Sequence, residues 1–194
     1  MAGVFRVGFV TGATPDKWVR TWRERLPRSP LELVPVLEGD QEAGLRDGAL
    51  DMALVRLPIE RTGFHCIPLY EEVPVVVAGH EHLISAAGEV TLDDLAGEQL
   101  VLPHVTGWTP RSQQLEWPPM SIADAVAVVA SGTGIVIVPM SVARLHQRKD
   151  VIYRPVTDLA TTTVGLAWRT DSDDERVQTF IGIVRGRTER SSRT

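Results

Sequence analysis

The chain has a single cysteine, Cys66, among its 194 residues. That excludes an internal disulfide framework and any four-cysteine zinc site. Excess positive charge is missing too. Twenty Lys and Arg against 25 Asp and Glu leave a formal net charge of −5, the opposite of the basic face that nucleic-acid binding requires. No apolar run reaches the length needed to cross a bilayer. The N-terminus passes from Met-Ala-Gly into a strand-like run with no charged-then-apolar leader. The expectation is a reduced, soluble, cytoplasmic protein with no membrane partner. Catalytic motifs are equally scarce: there is no G-x-S-x-G elbow, no P-loop, and no G-x-G-x-x-G after the first strand. Gly132-Thr133-Gly134 follows a helical run and precedes an extended one, the reverse of the dinucleotide fingerprint. His65, His104 and His146 lack metal-ligand spacing, and the two histidines of His80-Glu81-His82 face one way only in an extended segment. We therefore expect no enzyme, no cofactor and no metal.

What is present suits a packed α/β protein. Hydrophobic residues make up 43% and charged residues 23%, enough to bury a core in one domain or two small lobes. Val4–Val10 reads as a strand buried on both faces, and Thr11–Thr14 as a turn. Pro15 then opens a helix capped by Thr14, with Trp18, Val19, Trp22 and Leu26 on one stripe. Leu31–Leu37 is extended, Asp40 caps a short helix ended by Gly48, and Met52–Val55 is a third strand. Phe64–Tyr70 and Val73–Ala78 are extended as well. A smaller series follows: strand Leu100–Leu102, helix Ser121–Ser131, strand Ile135–Val138 and helix Ser141–Gln147. Val151–Val156 and Thr162–Trp168 are extended, and the capping box Ser172-Asp-Asp-Glu175 starts a helix on Val177, Phe180, Ile181 and Val184. Beyond Arg185 the tail is polar.

Three segments carry a resemblance. Leu45-Arg-Asp-Gly-Ala-Leu-Asp-Met-Ala-Leu-Val-Arg56 resembles the L-x-x-G-x-L-D corner of LysR-type regulators. Val75-Val-Val-Ala-Gly-His-Glu-His-Leu83 with Val90–Ala96 resembles their crossover strand and one-turn helix. Ser121–Pro139 resembles their V-A-x-G-x-G-I-x-x-x-P segment. In this order they set a register from Arg6 to about Val184. The chain thus resembles the effector-binding domain of a LysR-type transcriptional regulator.

That resemblance implies a type 2 periplasmic-binding-protein-like fold: two Rossmann-like α/β lobes joined by crossing strands. Lobe I would be residues 1–78 plus 155–194, and lobe II residues 79–154. It implies a small-molecule effector in the cleft between lobes and a homodimer. DNA would be reached only through a winged helix-turn-helix, which this sequence does not contain. Either the sequence is cut at the linker or the natural protein is a stand-alone ligand-binding or protein-interaction module. A second departure lies between Pro103 and Ser121, where the family places a helix and a strand. The Trp- and Pro-containing run here is too short for both, so lobe II is expected to be trimmed. Peroxide-sensing members use a cysteine pair, which this chain lacks.

The candidate ligand residues follow from strand ends and helix starts, where backbone N–H groups and a partial positive charge suit an anion. They are Thr11, Gly12, Ala13 and Thr14, with Gly39 and Asp40 on the opposite wall. Arg56, after the third strand, is placed to pair an effector carboxylate bidentately. In the second lobe the resemblance adds Thr106, Trp108, Thr133 and Ile135, with Gly132 and Gly134 offering close backbone approach.

Overall fold

A computed structural model of the chain describes residues 3–186; the polar tail from 187 onward lies outside the described residues. The chain divides into two compact units, one of residues up to Tyr70 and from Thr163 onward, the other Glu71–Thr162.

The first unit is built on a sheet ordered β2-β1-β3-β8-β4. β1 (Phe5–Val10) runs parallel to both β2 (Leu31–Val36) and β3 (Met52–Arg56), and β3 is antiparallel to β8 (Thr162–Arg169). β4 (Phe64–Glu72) pairs at the edge beside β8. Alternation on the central strands feeds two cores, as the pleat requires. Phe5, Val7, Met52 and Leu54 point toward Trp22 of α1 (Asp16–Arg25) and Phe180 of α5 (Glu175–Val184). Phe5 stacks on Trp22 with ring centroids 4.9 Å apart. Ala53 and Val55 face the other way, onto Leu45 of α2 (Ala43–Arg46), Leu50 and Phe64. The Trp stripe of α1 is therefore core: Trp22 is fully buried, and Trp18 packs against the same cluster.

The second unit centres on β5 (Pro74–Gly79), flanked antiparallel by β6 (Val136–Pro139) and β7 (Val151–Pro155). Val75 and Val77 pack under α3 (Ile122–Ala130) and α4 (Met140–Leu145), while Val76 and Ala78 meet Leu95, Leu100, Ile135 and Val156. β5 and β7 thus belong to the second sheet, and the units divide at Tyr70/Glu71 and Thr162/Thr163, not at the expected 78 and 154. Other sequence expectations shift locally. Leu100–Leu102 is no strand but a single parallel bridge, Leu100 to Ile135. From Pro103 to Met120 the backbone forms neither helix nor strand. α5 is capped by Asp174, which accepts from the Arg176 N–H, not by Ser172. The same side chain binds the Arg176 guanidinium, and that ion pair favours Asp174 as the cap.

Candidate functional site

The best-formed constellation lies at one edge of the first sheet. Val10 and Val36 are register partners, so the turn after β1 and the segment after β2 emerge side by side, with β3 on the other side of β1. Gly12 takes φ 89°, a conformation that strains any residue with a Cβ. The Ala13 N–H closes the turn on the Val10 carbonyl at 3.0 Å. α1 then starts at Asp16 with Pro15, already helical in its backbone, in the N-cap position and no side-chain cap. Thr14 is therefore exposed and not a cap. The Trp18 and Val19 N–H groups both close on the Pro15 carbonyl, so helix geometry begins one residue too late for Thr14 to serve. What remains is a glycine turn at a helix start, flanked by the hydroxyls of Thr11 and Thr14.

Arg56 holds this edge together. Its side chain is 2% exposed. One guanidinium nitrogen donates to the Thr11 carbonyl at 2.8 Å and another to Glu38 Oε2 at 3.0 Å. Its backbone is clamped by Gln41, whose Oε1 accepts the Arg56 N–H and whose Nε2 donates to the Arg56 carbonyl, both at 2.8 Å. Arg56 is thus neither a plain surface arginine nor an open arm for a ligand; an effector carboxylate reaching NH1 would meet Glu38 there. Gly39 and Asp40 lie in a 3-10 turn, Glu38–Asp40, and both are exposed. α2 has Glu42 at its N-cap, with no side-chain bond capping the helix. Asp40 is therefore not its cap, because the intervening 3-10 turn displaces the helix start.

The second-unit candidates separate. Gly132 and Gly134 have φ 87° and 71°, but the Ile135 N–H donates to the Gln99 carbonyl at 2.8 Å and its carbonyl accepts from Val101 at 2.9 Å. With its side chain fully buried, Ile135 has no group to offer a ligand. Its side chain packs the core and its backbone joins neighbouring segments. Gly132 and Thr133 are exposed, and Gly132 lines an open pocket of about 310 Å3 with Gly79, His80, Glu81, His82, Ala130 and Ser131. Thr106 binds His104 Nδ1 through its hydroxyl at 2.8 Å. Trp108 lines a different pocket of about 220 Å3, with Leu92, Asp93 and Arg111 among its walls.

Sequence reasoning missed Glu38 and Gln41. Each reads as an ordinary polar residue near a turn, and their partner lies 15 or 18 residues on. Burial pushes the Cys66 thiol above its ordinary range, which keeps it protonated and unreactive at neutral pH. Among the described residues no group of three or more His, Cys, Asp and Glu side chains is placed to hold a metal ion. No helix among them is long and apolar enough to cross a membrane.

Comparison with known proteins agrees with this architecture. The chain belongs to the LysR substrate binding domain family, whose model matches residues 1–189. It is 23% identical over 198 residues to the HTH-type transcriptional regulator AlsR of Bacillus subtilis (strain 168), covering 93% of this chain and 65% of AlsR. It is 26% identical to the Hca operon transcriptional activator HcaR of Escherichia coli (strain K12), covering 93% of this chain and 67% of HcaR. The chain thus spans about two-thirds of the length of these relatives. Among solved structures, the effector binding domain of BenM with its effector benzoate superposes with a TM-score of 0.78 at 23% identity, covering 94% of this chain and 90% of that one. The fold is periplasmic-binding-protein-like, and the family is one of effector-binding, non-enzymatic domains.

Proposed function

We propose that this chain is the sensing part of a LysR-type transcriptional regulator. It takes a small carboxylate-bearing metabolite at the C-terminal edge of its first sheet. The observation that carries this reading is the Thr11–Thr14 turn at the start of α1, held in shape by a buried arginine. Backbone N–H groups at a helix start attract anions, the helix dipole adds a partial positive charge, and two threonine hydroxyls supply further donors. Binding acts by population shift: the effector favours one arrangement of the protein because it contacts that arrangement better. DNA contact, in this reading, is made by a helix-turn-helix domain and not by this acidic domain. The assembly is read as a homodimer, supported by the family and checked by size-exclusion chromatography with light scattering.

A thermal-shift panel tests the ligand class, setting aromatic and aliphatic carboxylates, benzoate among them, against their neutral amides. A carboxylate at about one hundred times its dissociation constant adds about 2.7 kcal/mol of stability. Thr14→Ala sharpens the test, because Thr14 caps nothing and its loss should leave the melting temperature of the protein alone within about 0.5 kcal/mol. The reading expects a saturable shift with acids only, weakened in Thr14→Ala. Equal shifts with acids and amides, or a response indifferent to Thr14→Ala, would remove the anion from this edge.

A further inference from the structure

At the N-terminal end of the first sheet, opposite the turn after β1, lies an open pocket of about 320 Å3. Its walls are Arg23, Leu26, Pro27, Ser29, Pro30 and Leu31, so the end of α1 supplies one side and the start of β2 the other. β2 spans six residues between this pocket and the effector edge, which sets the two about 17 Å apart. Backbone and core hold the pocket in shape. The Ser29 N–H closes on the Leu26 carbonyl at 3.0 Å, and the Pro30 carbonyl accepts from the Phe5 N–H at 2.9 Å. The Ser29 carbonyl takes the indole N–H of the buried Trp22 at 2.8 Å. Pro27 and Pro30 have φ fixed by their rings, so the wall loses little freedom when a ligand binds.

Two features give the pocket a ligand chemistry. Arg23 is the one charged residue of its lining, and it is exposed. Four arginines, Arg20, Arg23, Arg25 and Arg28, stand there against one acid, Glu24, in a chain of net charge −5. Arg23 and Arg25 offset the partial negative charge at the end of α1, and the rest leave the region positive. The second feature is Ser29 Oγ, which is buried with no hydrogen-bond partner among the described residues, a costly state for a hydroxyl. Ser29 already forms part of the wall, so rotation about χ1 turns its hydroxyl to a bound group. We propose that this pocket is a second ligand site, taking a small monocarboxylate with an apolar body. The carboxylate pairs with the Arg23 guanidinium and accepts from the Ser29 hydroxyl, while the body lies on Leu26, Leu31 and the proline rings. The site is independent of the effector reading, since neither Thr14 nor Arg56 takes part in it.

Trp22 supplies the readout, because its indole N–H donates to the pocket wall. Hexanoate titrated into isotope-labelled protein should shift the Trp22 indole resonance saturably in the millimolar range, whereas hexanamide should not. Arg23→Gln should weaken this binding at least about five-fold, and Thr14→Ala should leave it unchanged. Ser29→Ala should weaken it at least about three-fold without lowering the melting temperature of the free protein, because the lost hydroxyl bonds nothing there. That pairing separates a ligand group from a structural one. An unmoved Trp22 resonance, an equal response to hexanamide, or an affinity unchanged in Arg23→Gln overturns the second site. A shift abolished by Thr14→Ala also overturns it and moves the hexanoate to the effector edge. Ser29→Ala with unchanged affinity or a lowered melting temperature overturns the part given to its hydroxyl.

Discussion

At Gly134 the backbone leaves no room for a side chain. A Cβ there would run into the Gln99 carbonyl oxygen, with Gln99 Cβ and Val101 Cγ2 each at 3.1 Å. That carbonyl also accepts the Ile135 N–H, so it cannot move aside without losing a buried bond. Two residues earlier, Gly132 shares the positive φ, yet a Cβ would meet nothing within 4 Å. The pair separates two costs that a glycine motif confounds. Gly132→Ala should cost about 1–2 kcal/mol, the strain of a left-handed conformation alone. Gly134→Ala should cost about 3 kcal/mol or more, because strain and a backbone clash add. Urea denaturation of both variants checks this, and equal losses would mean that the corner is looser than its geometry implies. The same contrast sorts the ligand candidates of this corner. Ile135 has both backbone groups bonded and Gly134 is explained by its close approach to the Gln99 carbonyl, whereas Gly132 and Thr133 are exposed.

At the scale of elements, the unusual feature is a connection made without a strand. The segment after Pro103 has neither helix nor strand, yet it is tied down by two glutamines, each of which clasps the backbone on either side of the other. Gln99 Nε2 donates to the Gln113 carbonyl and Oε1 accepts from Leu115, both at 2.8 Å. Gln114 Oε1 accepts the Leu100 N–H at 2.7 Å and Nε2 donates to the Glu98 carbonyl at 2.9 Å. Each amide side chain stands in for a peptide group, so the pair does the work of a short ladder where the sequence is too short to build one. Gln41 does the same for the end of β3. Gln114→Ala orphans the part-buried Leu100 N–H and should cost about 1–2 kcal/mol, whereas Gln99→Ala frees groups that water can reach and should cost less than about 1 kcal/mol. Both bonds close one loop, so the double variant should cost clearly less than their sum. Strict additivity would show two independent contacts. Hydrogen exchange should report the release as faster loss of protection at Leu100 and Leu115. These surrogates explain what was legible in the chain and what was not. Val4–Val10, Met52–Val55 and the apolar helix before Gly132 carry their own periodicity, so the order of elements follows from local pattern. A glutamine amide that bonds a backbone fifteen residues away leaves no local signature. For the same reason Arg56 could be placed at a strand end, but its burial against Glu38 could not be foreseen. Caps missed by one or two residues, as at Thr14, Asp40 and Ser172, because a cap depends on where the backbone turns helical, and several residues in each stretch could serve.

At the scale of the whole molecule, the shifted carboxylates share one direction. Thr62 N–H and hydroxyl hold Glu60 below the usual carboxylate range, Thr91 does so for Asp94, Arg148 for Asp150 and Arg176 for Asp174. Burial lowers His104 as well. A depressed group binds fewer protons folded than unfolded, so its stabilisation is complete above the unfolded pKa and fades as the pH falls toward the folded one. Glu60, Asp94 and Asp150 are exposed enough for solvent to screen them, leaving Asp174 as the carboxylate with most leverage. It caps α5 and orients Arg176, whose guanidinium lies 5.2 Å over the Phe5 ring. The protein should therefore lose stability in two stages on acidification. The first begins below about pH 6.5, where unfolded histidine takes up a proton that native His104 resists. The second sets in below about pH 4, where unfolded aspartate takes up a proton that native Asp174, paired with Arg176, resists. His104→Asn keeps an acceptor for the Thr106 hydroxyl and N–H that now meet His104 Nδ1. It should flatten only the upper stage, because asparagine has nothing to protonate. Asp174→Asn should flatten only the lower one while reducing stability at neutral pH. Melting temperatures read from pH 3 to 8 for the three proteins separate the stages. An upper stage that persists unchanged in His104→Asn would overturn its assignment to His104.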